Sequence, residues 1–285
     1  MESGRLADLH VHTTASDGTL TPEQTVWETA RIGLFAVGIT DHDSIDGLDP
    51  ALSAAEDAGI HVVPGVEINT DYEEDEIHIL GYYINLDSSS LRAHMETLRT
   101  GRIQRGRRIV ELLNSLGVRI SFDRVNEIAG KGSVGRPHVA KAIVEGGYAK
   151  SINEAFGKYL VRGAPAFVER YKITPYEAVG IVVEAHGVAV LAHPGNSWLA
   201  ERLLPALVDS GLRGIEAWHT DHSPGQTRRF IEAAKRHDLI ATGGSDSHGP
   251  NMLKDVAIGH ITVDAAVVEQ LRATADEIKT AWLPK

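Results

Sequence analysis

The sequence predicts an α/β fold: a distorted seven-stranded (β/α)7 TIM-like barrel with a helical insertion subdomain. Short apolar segments alternate with segments of helical period in both outer parts of the chain. Nearly every apolar segment ends in a histidine or an acid, and strand ends converge on one face of a parallel barrel. From about Leu86 to Arg170 the strand-like segments disappear. We therefore predict barrel residues 1–86, a helical insertion at 87–171 that caps the substrate, and barrel residues 172–285.

The composition limits the class of protein. The chain has 285 residues, 42% of them hydrophobic, which is enough for one large α/β domain with an insertion. It contains no apolar run as long as the roughly 18 residues that predict a transmembrane helix, and its opening residues do not resemble a signal peptide. Because there is no cysteine, any metal must bind to imidazole and carboxylate groups. We expect a cytoplasmic protein without a membrane association.

The charge balance bears on possible partners. The formal net charge is -11, which argues against a DNA-binding surface, because such a surface needs clustered positive charge. Several divalent ions bound in one pocket would reverse the sign of the charge there and could attract an anionic substrate. No feature of the sequence indicates an obligate protein partner.

The first predicted strand organises the rest of the chain. Leu9 and Val11 alternate with His10 and His12, which places both imidazoles on one face. Two histidines in this arrangement can bind one metal ion. Asp17 follows in a turn rich in Ser, Thr and Gly, from which its carboxylate could point back toward the same pocket.

The first barrel part continues in strand–helix order. Thr21 and Gln24 form a capping box that starts a helix, whose predicted buried stripe is Val26, Trp27, Ala30 and Leu34. Further elements are predicted at 35–40, 47–58, 61–68 and 76–82, with an acidic hairpin-like turn at 71–75. These strands carry His42, Glu67 and His78 within them or just beyond their ends.

The insertion and the second barrel part follow. A long helix is predicted from Leu91 to Leu116, with arginines at 99, 102, 105, 107 and 108, and shorter helices are predicted at 122–130, 136–146 and 151–160. A capping box at Thr174 then starts a helix, and the remaining predicted elements are 188–193, 200–210, 214–219, 224–237, 239–248, an edge segment at 256–263 and a C-terminal helix.

Nine side chains with metal-binding groups could share one pocket if these strands form a barrel. A single His-x-His pair is weak evidence, because two ordinary strand histidines give the same pattern. The repetition of the feature at successive strand ends is what indicates a site. The nine residues are His10, His12, Asp17, His42, Glu67, His78, His193, Asp246 and His248.

The same positions carry a resemblance to the PHP (polymerase and histidinol phosphatase) family. The matching motifs lie in order between residues 8 and 248: His10-Val-His12 with Asp17, Thr40-Asp-His42-Asp, Pro64-Gly-Val-Glu67, Glu76-Ile-His78, Ala192-His193-Pro and Gly244-Ser-Asp246-Ser-His248. Three further segments resemble a branch of bacterial phosphoesterases acting on nucleoside 3′,5′-bisphosphates and on the 5′ ends of short RNAs. These segments are the opening at 8–22, Gly135-Arg-Pro-His138 and Lys158-Tyr-Leu-Val-Arg-Gly163.

The resemblance implies a barrel of the PHP type with a trinuclear metal centre. By this mapping one ion would be bound by His10, His12, Glu67 and Asp246. A second would be bound by Glu67, His78 and His193, and a third by Asp17, His42 and His248. The family favours Mn²⁺, while Zn²⁺, Fe²⁺ or Mg²⁺ would also suit such ligands. Either Asp8, Asp41 and Asp43 orient ligating imidazoles, or they are ordinary turn and cap residues.

The predicted substrate contacts rest on fewer observations. Arg136 lies at a predicted helix start, where a guanidinium and backbone N–H groups could share one phosphate. His138 could contact phosphate, protonate the leaving oxygen, or simply pack or cap. Of His219 and His222 we expect one to contact phosphate, and we favour His222. The arginine-rich helix, Lys158 and Arg162 are weaker candidates, since charged runs are usually solvated faces.

The predicted function is a metal-dependent phosphoesterase. It would hydrolyse the 3′-phosphate of nucleoside 3′,5′-bisphosphates, and also the 5′ ends of short RNA, by attack of a metal-activated hydroxide on phosphorus. The alternatives are a histidinol-phosphate phosphatase or another small phosphomonoesterase, and, in a different class, a non-catalytic metal-binding scaffold. The four tryptophans, Trp27, Trp198, Trp218 and Trp282, are predicted to serve packing more than base stacking, with Trp218 the one to test.

Overall fold

The computed structural model describes residues 5–73, 75–130, 132–250 and 255–282. In this part of the chain eight strands form one sheet in the order β7-β6-β5-β4-β3-β2-β1-β8. The strands are β1 (Leu6–Val11), β2 (Ala36–Ile39), β3 (His61–Tyr72), β4 (Asp75–Tyr82), β5 (Val188–Leu191), β6 (Gly214–His219), β7 (Ile240–Gly244) and β8 (Val263–Asp264). The α/β barrel class predicted from the sequence is confirmed.

Helices surround this sheet and form the insertion. Around the barrel lie α1 (Pro22–Arg31), α2 (Leu48–Ala58), α7 (Pro175–Glu184), α8 (Ala200–Asp209), α9 (Pro224–Arg236) and α10 (Ala265–Trp282). The insertion contains α3 (Ser89–Ser115), α4 (Phe122–Ala129), α5 (Arg136–Glu145) and α6 (Ile152–Ala155), which continues as a π-helical turn over Phe156–Leu160.

The sheet closes on itself where the chain runs on past β7. The backbone N–H of Asp246 donates to the carbonyl of His10, and the N–H of His12 donates to the carbonyl of Ser247, both over 2.9 Å. These bonds join the first and seventh strands. The eighth strand is the two-residue β8, antiparallel to β1. The edge strand predicted at 256–263 is observed only as these two residues. They account for the difference between seven predicted and eight observed strands.

One strand runs against the predicted strand–helix order. β4 is antiparallel to both neighbours, β3 and β5, while the pairs β1–β2, β2–β3, β5–β6 and β6–β7 are parallel. The acidic turn predicted after Glu67 therefore closes a true hairpin, with Tyr72 opposite Asp75. Because β4 runs in the reverse direction, its beginning lies beside the carboxyl end of β3, and His78 faces Asn69 across the pair.

The helix starts follow the predicted capping chemistry. Thr21 with Gln24, and Thr174 with Glu177, form reciprocal capping boxes at α1 and α7. The predicted buried stripe of α1 is wrong at Trp27, whose side chain is 51% exposed. Thr25 and Thr29 are buried there instead, and the Thr29 hydroxyl is satisfied by the carbonyl of Thr25.

The insertion has its own apolar core. Ile109, Val110 and Leu113 of α3 pack with residues of α4, α5 and the turn after α6, whereas Leu91 and Met95, earlier in the same helix, pack in the barrel core. One helix thus connects two cores. This arrangement agrees with the division at 86–87 and 171–172, which stays a prediction.

The insertion lies directly on the first barrel loop. The N–H of Ser133 donates to the carbonyl of Ala15 over 3.0 Å. A Cβ on Gly132 would meet the carbonyl oxygen of Thr14 at 2.4 Å, so this approach requires a glycine. The contact places the start of α5 beside the loop that carries Asp17. Within the described ranges no helix is both long and apolar enough to cross a membrane.

Barrel closure generates the first prediction. A Cβ on Gly244 would lie 2.4 Å from the backbone nitrogen and Cβ of His10. We therefore expect Gly244→Ala to lower the free energy of unfolding by about 1–3 kcal/mol through overpacking. The control is Gly180→Ala in α7, which meets no atom within 4 Å and should raise it by about 0.5–1 kcal/mol. Urea unfolding of both variants measures this, and a Gly244→Ala protein as stable as wild type would contradict it.

Candidate metal centre

Five imidazoles surround the carboxylate of Glu67, which is fully buried in β3. Its Oε2 lies 3.2 Å from His10 Nε2, 3.2 Å from His12 Nε2 and 3.0 Å from His42 Nδ1. Its Oε1 lies 2.7 Å from His78 Nδ1 and 2.9 Å from His193 Nε2. These residues come from β1 and the position after it, from β3 and β4, and from the loops after β2 and β5, so five neighbouring strands contribute to one cluster.

The hydrogen bonding of His10 shows why this cluster needs a cation. Its Nδ1 lies 3.0 Å from Glu216 Oε1, so the ring donates its Nδ1–H to that carboxylate. A neutral imidazole has only one N–H, and its Nε2 therefore carries a lone pair. That lone pair points at Glu67 Oε2, also an acceptor. Two acceptors at this distance repel each other unless a proton or a metal ion lies between them.

A second group of ligands lies beside the first. One donor atom from each of His12, Asp17, His42 and His248 falls within 4.8 Å of the others, and the rings of His12 and His248 stack with centroids 4.1 Å apart. The ligand atoms also lie within 4.8 Å of one another in two further groups, which are His10, His12, Glu67 and Asp246, and His42, Glu67 and His78.

The structure therefore brings together all nine predicted ligand residues. The set assigned to the first ion coincides with one compact group. The residues predicted for the second ion differ from the compact group, which contains His42 in place of His193, although His193 also contacts Glu67. The residues predicted for the third ion form a compact group that also includes His12. Which ion each residue would bind remains a prediction.

Buried polar atoms without partners show that the cluster fits metal ions. His12 Nδ1, Asp17 Oδ1 and His78 Nε2 are buried and make no hydrogen bond, although such atoms are normally satisfied. The donor set of imidazole nitrogens and carboxylate oxygens is also the one that divalent transition metals select. The residues present thus suit divalent ions.

The pKa values reflect the same demand for positive charge. Burial opposes the charged form of His12, but hydrogen bonds with Asp246 and Glu67 outweigh it and raise the pKa to about 10. Burial likewise disfavours the charged carboxylates of Glu67 and Asp17. Surrounding imidazoles, chiefly His42 and His10 for Glu67 and His248 for Asp17, nevertheless hold both pKa values well below the usual range. The carboxylates are therefore ionised and able to ligate.

Strained backbone occurs at three strand ends of this site. His193, Asp246 and Asp43 have φ of 23°, 55° and 50°, in the left-handed region that costs a non-glycine residue about 1 kcal/mol or more. Each is stabilised by bonds from its surroundings, such as the 2.7 Å bond from the N–H of His193 to Glu216 Oε2. At His193 and Asp246 this backbone conformation directs the side chain toward the cluster, whereas the carboxylate of Asp43 accepts from Asn69 and Arg102.

Two of the three flanking acids fix loops rather than imidazoles. Asp8 accepts from the N–H groups of Ser245 and Gly259. Asp41 accepts from the N–H and hydroxyl of Thr13 and from the hydroxyl of Ser16, which shapes the turn before Asp17. Asp43 accepts from Asn69 and from Arg102 Nε over 2.7 Å. Of the two interpretations we left open, the turn and loop role holds for Asp8 and Asp41.

Sequence reasoning missed Glu216, which is fully buried in β6. One carboxylate oxygen accepts a hydrogen bond from His10 Nδ1, and the other accepts one from the backbone N–H of His193. A single carboxylate thus positions two candidate ligand residues. It also forms a compact group with His10 and His219. The available signal was an acid inside an apolar strand, since a buried acid always requires partners.

The predicted substrate residues divide into two groups. His222 is tied at both ring nitrogens: Nδ1 donates to the carbonyl of Ala217, and Nε2 accepts the N–H of Gly195. It has no free nitrogen for a phosphate, which argues against our preference for it. His219 lies closer to the cluster, with Nε2 3.4 Å from Asp246 Oδ2. Lys158 is exposed above the ring of Tyr159.

Arg136 and His138 lie at the start of α5, beside the metal ligands. Arg136 is half-buried and pairs with Glu76 Oε1 at 3.3 Å. His138 Nδ1 accepts the N–H of Gly135 over 2.9 Å, so the ring caps the helix. Burial lowers the pKa of His138 although Asp17 acts in the opposite direction. The neutral ring therefore carries its proton on Nε2.

Fold and site together define a barrel metallohydrolase with ligands drawn from successive strand ends. The model of the PHP domain family matches residues 8–160, and the chain belongs to this family. The chain is 35% identical to the 3′,5′-nucleoside bisphosphate phosphatase of Chromobacterium violaceum over 85% of this chain and 87% of that one. It is also 35% identical to the 5′-3′ exoribonuclease Rnm of Salmonella typhimurium, over 85% of each chain.

A solved structure agrees with these relatives. A candidate metal-dependent phosphoesterase of Bifidobacterium adolescentis superposes with a TM-score of 0.88 at 32% identity, covering 94% of this chain and 96% of that one. The predicted family and the predicted enzyme class, a metal-dependent phosphoesterase, are confirmed.

Metal binding should displace protons. Because the pKa of His12 is about 10, this ring is protonated at pH 7 in the metal-free protein and must lose its proton before it can ligate. Mn²⁺ affinity should therefore fall as the pH decreases. Calorimetric titration of chelator-treated protein in two buffers with different ionisation enthalpies measures the released protons. An observed enthalpy that does not depend on the buffer would contradict this.

Glu216→Gln should weaken metal binding without unfolding the protein. The glutamine keeps one oxygen that can accept a hydrogen bond, but its amide NH₂ would face the other N–H donor. One of the two hydrogen bonds that position His10 and His193 is therefore lost. We expect Mn²⁺ affinity to fall about 10- to 100-fold. Glu177→Gln is the control, since glutamine also serves in a capping box. Unchanged Mn²⁺ affinity in the Glu216 variant, with circular dichroism confirming its fold, would refute this role.

Proposed function

We propose that this chain hydrolyses the 3′-phosphate of nucleoside 3′,5′-bisphosphates and also removes nucleotides from the 5′ ends of short RNA. The proposal includes three divalent ions, with Mn²⁺ favoured. It is supported by the names of the two relatives, which differ in substrate although each is 35% identical to this chain. A cytoplasmic location belongs to the same proposal, because nucleotides and RNA fragments are made and degraded there.

The observation that carries the proposal is a cluster of four partly buried arginines beside the metal centre. Arg102 and Arg105 come from α3, Arg136 from α5 and Arg170 from the segment leading into α7. Arg102 pairs with Asp43 next to the ligand His42. Arg136 and Arg170 share Glu76, each at 3.3 Å, two residues before the ligand His78. We call these four residues the arginine cluster.

The arginine cluster is suited to an anion. Burial, followed by repulsion from Arg136, Arg170 and Arg102, lowers the pKa of Arg105 to about 9. Burial lowers the pKa of Arg136 as well, with Arg170 and Arg102 adding to the effect. Crowded guanidiniums of this kind gain from a bound phosphate, which offers each of them charge-assisted hydrogen bonds. Asp43, Glu76 and Asp71 pair with three of the four guanidiniums. The cluster still carries an excess of positive charge in a chain of net charge -11, which favours a phosphorylated ligand.

Two anion-binding regions side by side suit a substrate with two phosphates. A nucleoside 3′,5′-bisphosphate can place its 5′-phosphate on the arginine cluster and its 3′-phosphate at the metal centre. A 5′-phosphorylated RNA can place its first nucleotide in the same way. In both cases the bond between phosphorus and the 3′-oxygen breaks, the oxygen of water is added to phosphorus, and the 3′-oxygen takes a proton.

The residues of this chain have distinct tasks in that reaction. Divalent ions, when bound, supply an acidified water and neutralise phosphoryl charge. Glu67, Glu216 and the strained loops keep the ligands in place beforehand. Arg136 stands at the amino end of α5, where the positive end of the helix dipole adds to its attraction for phosphate. His138, neutral with Nε2–H, can donate a hydrogen bond to a phosphoryl oxygen, which favours this role over protonation of the leaving oxygen.

A substrate panel with added Mn²⁺ tests the proposal. Adenosine 3′,5′-bisphosphate, a short 5′-phosphorylated RNA and histidinol phosphate are compared by kcat/KM. We expect the first two to be preferred, because histidinol phosphate has no second phosphate for the arginine cluster. A strong preference for histidinol phosphate would overturn the choice of substrate. Metal-loaded protein without any activity would favour the scaffold alternative.

Arg136→Ala should act through the second phosphate. Loss of charge-assisted hydrogen bonds worth about 1.5–3 kcal/mol should lower kcat/KM for adenosine 3′,5′-bisphosphate about 10- to 100-fold, mainly by raising KM. Adenosine 3′-monophosphate, which lacks the 5′-phosphate, should be affected much less. The matched control is Arg108→Ala on the exposed face of α3, where the arginine pairs with Glu111. An equal loss on both substrates would contradict the assignment.

A further inference from the structure

Glu76 lies on the face of the β3–β4 hairpin that carries metal ligands. Residues two apart on a strand point to the same face, so Glu76 shares its face with His78, about 6–7 Å further along β4. His78 Nδ1 is 2.7 Å from the central carboxylate of Glu67. The Oε1 atom of Glu76 is 3.3 Å from Arg136 and also 3.3 Å from Arg170. The acid thus stands between the metal centre and two members of the arginine cluster.

We infer that the carboxylate of Glu76 competes with the 5′-phosphate of the substrate. In the empty site it occupies Arg136 and Arg170. It yields these guanidiniums when the phosphate binds and takes them again when the product leaves. The inference rests on the proposed function and adds a residue that sets the affinity for the 5′-phosphate.

Among the acids that pair with the arginine cluster, Glu76 is held least firmly. Asp43 lies 2.7 Å from Arg102, and Asp71 lies 2.8 Å from Arg170, with side-chain exposures of only 5% and 6%. Such distances are usual for strong charge-assisted hydrogen bonds. The side chain of Glu76 is 39% exposed, and the same oxygen serves both of its arginines at the longer distance. Of these three acids, Glu76 is therefore the one that an arriving anion can displace.

A phosphate is a better partner for these guanidiniums than the carboxylate of Glu76. Its oxygens can accept hydrogen bonds from Arg136 and Arg170 at the same time. The negative charge of Glu76 repels a phosphate that binds beside it, and its exposure allows the side chain to turn toward solvent. Asp71 continues to hold Arg170 when this happens. Removing the charge of Glu76 while keeping its shape should therefore strengthen phosphate binding.

This competition matters because the product keeps the anchored group. Hydrolysis of the 3′-phosphate of adenosine 3′,5′-bisphosphate leaves adenosine 5′-monophosphate (AMP), which still carries the 5′-phosphate. An arginine cluster without a competitor would retain AMP and exclude the next substrate. Glu76 offers Arg136 and Arg170 another partner as AMP leaves.

The test measures the dissociation constant of AMP by calorimetry with Mn²⁺-saturated protein. For Glu76→Gln this constant should fall about 5- to 50-fold, because one negative charge beside the phosphate is removed. Glu76→Asp keeps the charge and should stay much closer to wild type. In the glutamine variant KM for adenosine 3′,5′-bisphosphate should also fall, whereas KM for adenosine 3′-monophosphate, which lacks the 5′-phosphate, should not change.

The matched control is Glu111→Gln, which removes a carboxylate from its 2.8 Å pair with Arg108 on the exposed face of α3. This variant should keep the wild-type affinity for AMP. Unchanged or weaker AMP binding in Glu76→Gln would overturn the inference, because Glu76 would then only support the arginines. A KM for adenosine 3′-monophosphate that falls equally would also overturn it, since the charge would then act on the metal centre.

The wild-type protein separates this inference from the proposed function. Wild-type protein that does not bind AMP would overturn the inference. Wild-type protein that binds AMP but hydrolyses neither the bisphosphate nor RNA would instead refute the proposed function, and the comparison of AMP affinities would still decide whether Glu76 competes with a 5′-phosphate.

Discussion

The structure depends on one buried carboxylate among five imidazoles. Glu67 is inaccessible to solvent, and all five ring nitrogens lie within 3.2 Å of its oxygens. A buried acid without compensating positive charge would be expelled or neutralised, and neutral imidazoles that present lone pairs cannot compensate it. Protons or metal ions must therefore occupy the gaps between these groups. The barrel rim is built to hold positive charge that the chain itself does not supply.

Several features of the fold serve this requirement. The reversed direction of β4 brings His78 to the rim from the beginning of a strand rather than from its end. Left-handed backbone at His193 and Asp246 turns both side chains inward, and the carboxylate of Glu216 holds the first of them through its N–H. Local strain at these two positions is thus offset by hydrogen bonds elsewhere in the same site, as is common where a geometry is needed for chemistry.

Much of this could be predicted from the sequence, for identifiable reasons. The capping box at Thr174 and the alternation around His10 are local patterns, and local patterns determine helix starts and strand faces. The convergence of the other candidate ligand residues was expected from a barrel, in which strand ends meet on one face, whereas that of His78 depends on the reversed direction of β4. What could not be predicted depends on contacts between distant segments. The direction of β4 is set by pairing on both sides, Glu216 has its role only through His10, and His222 is occupied because Gly195 lies beside it.

The two substrates named for the relatives are less different than their names suggest. Removing the 3′-phosphate of a bisphosphate and releasing the first nucleotide of a 5′-phosphorylated RNA break the same bond, from phosphorus to the 3′-oxygen. They differ only in the other substituent on phosphorus, which in RNA is the 5′-oxygen of the next nucleotide. A site that anchors the 5′-phosphate on Arg136 and its neighbours and leaves the far side of the metal centre open would accept both. Selection between them would then depend on contacts beyond the scissile phosphorus and not on the metal ligands.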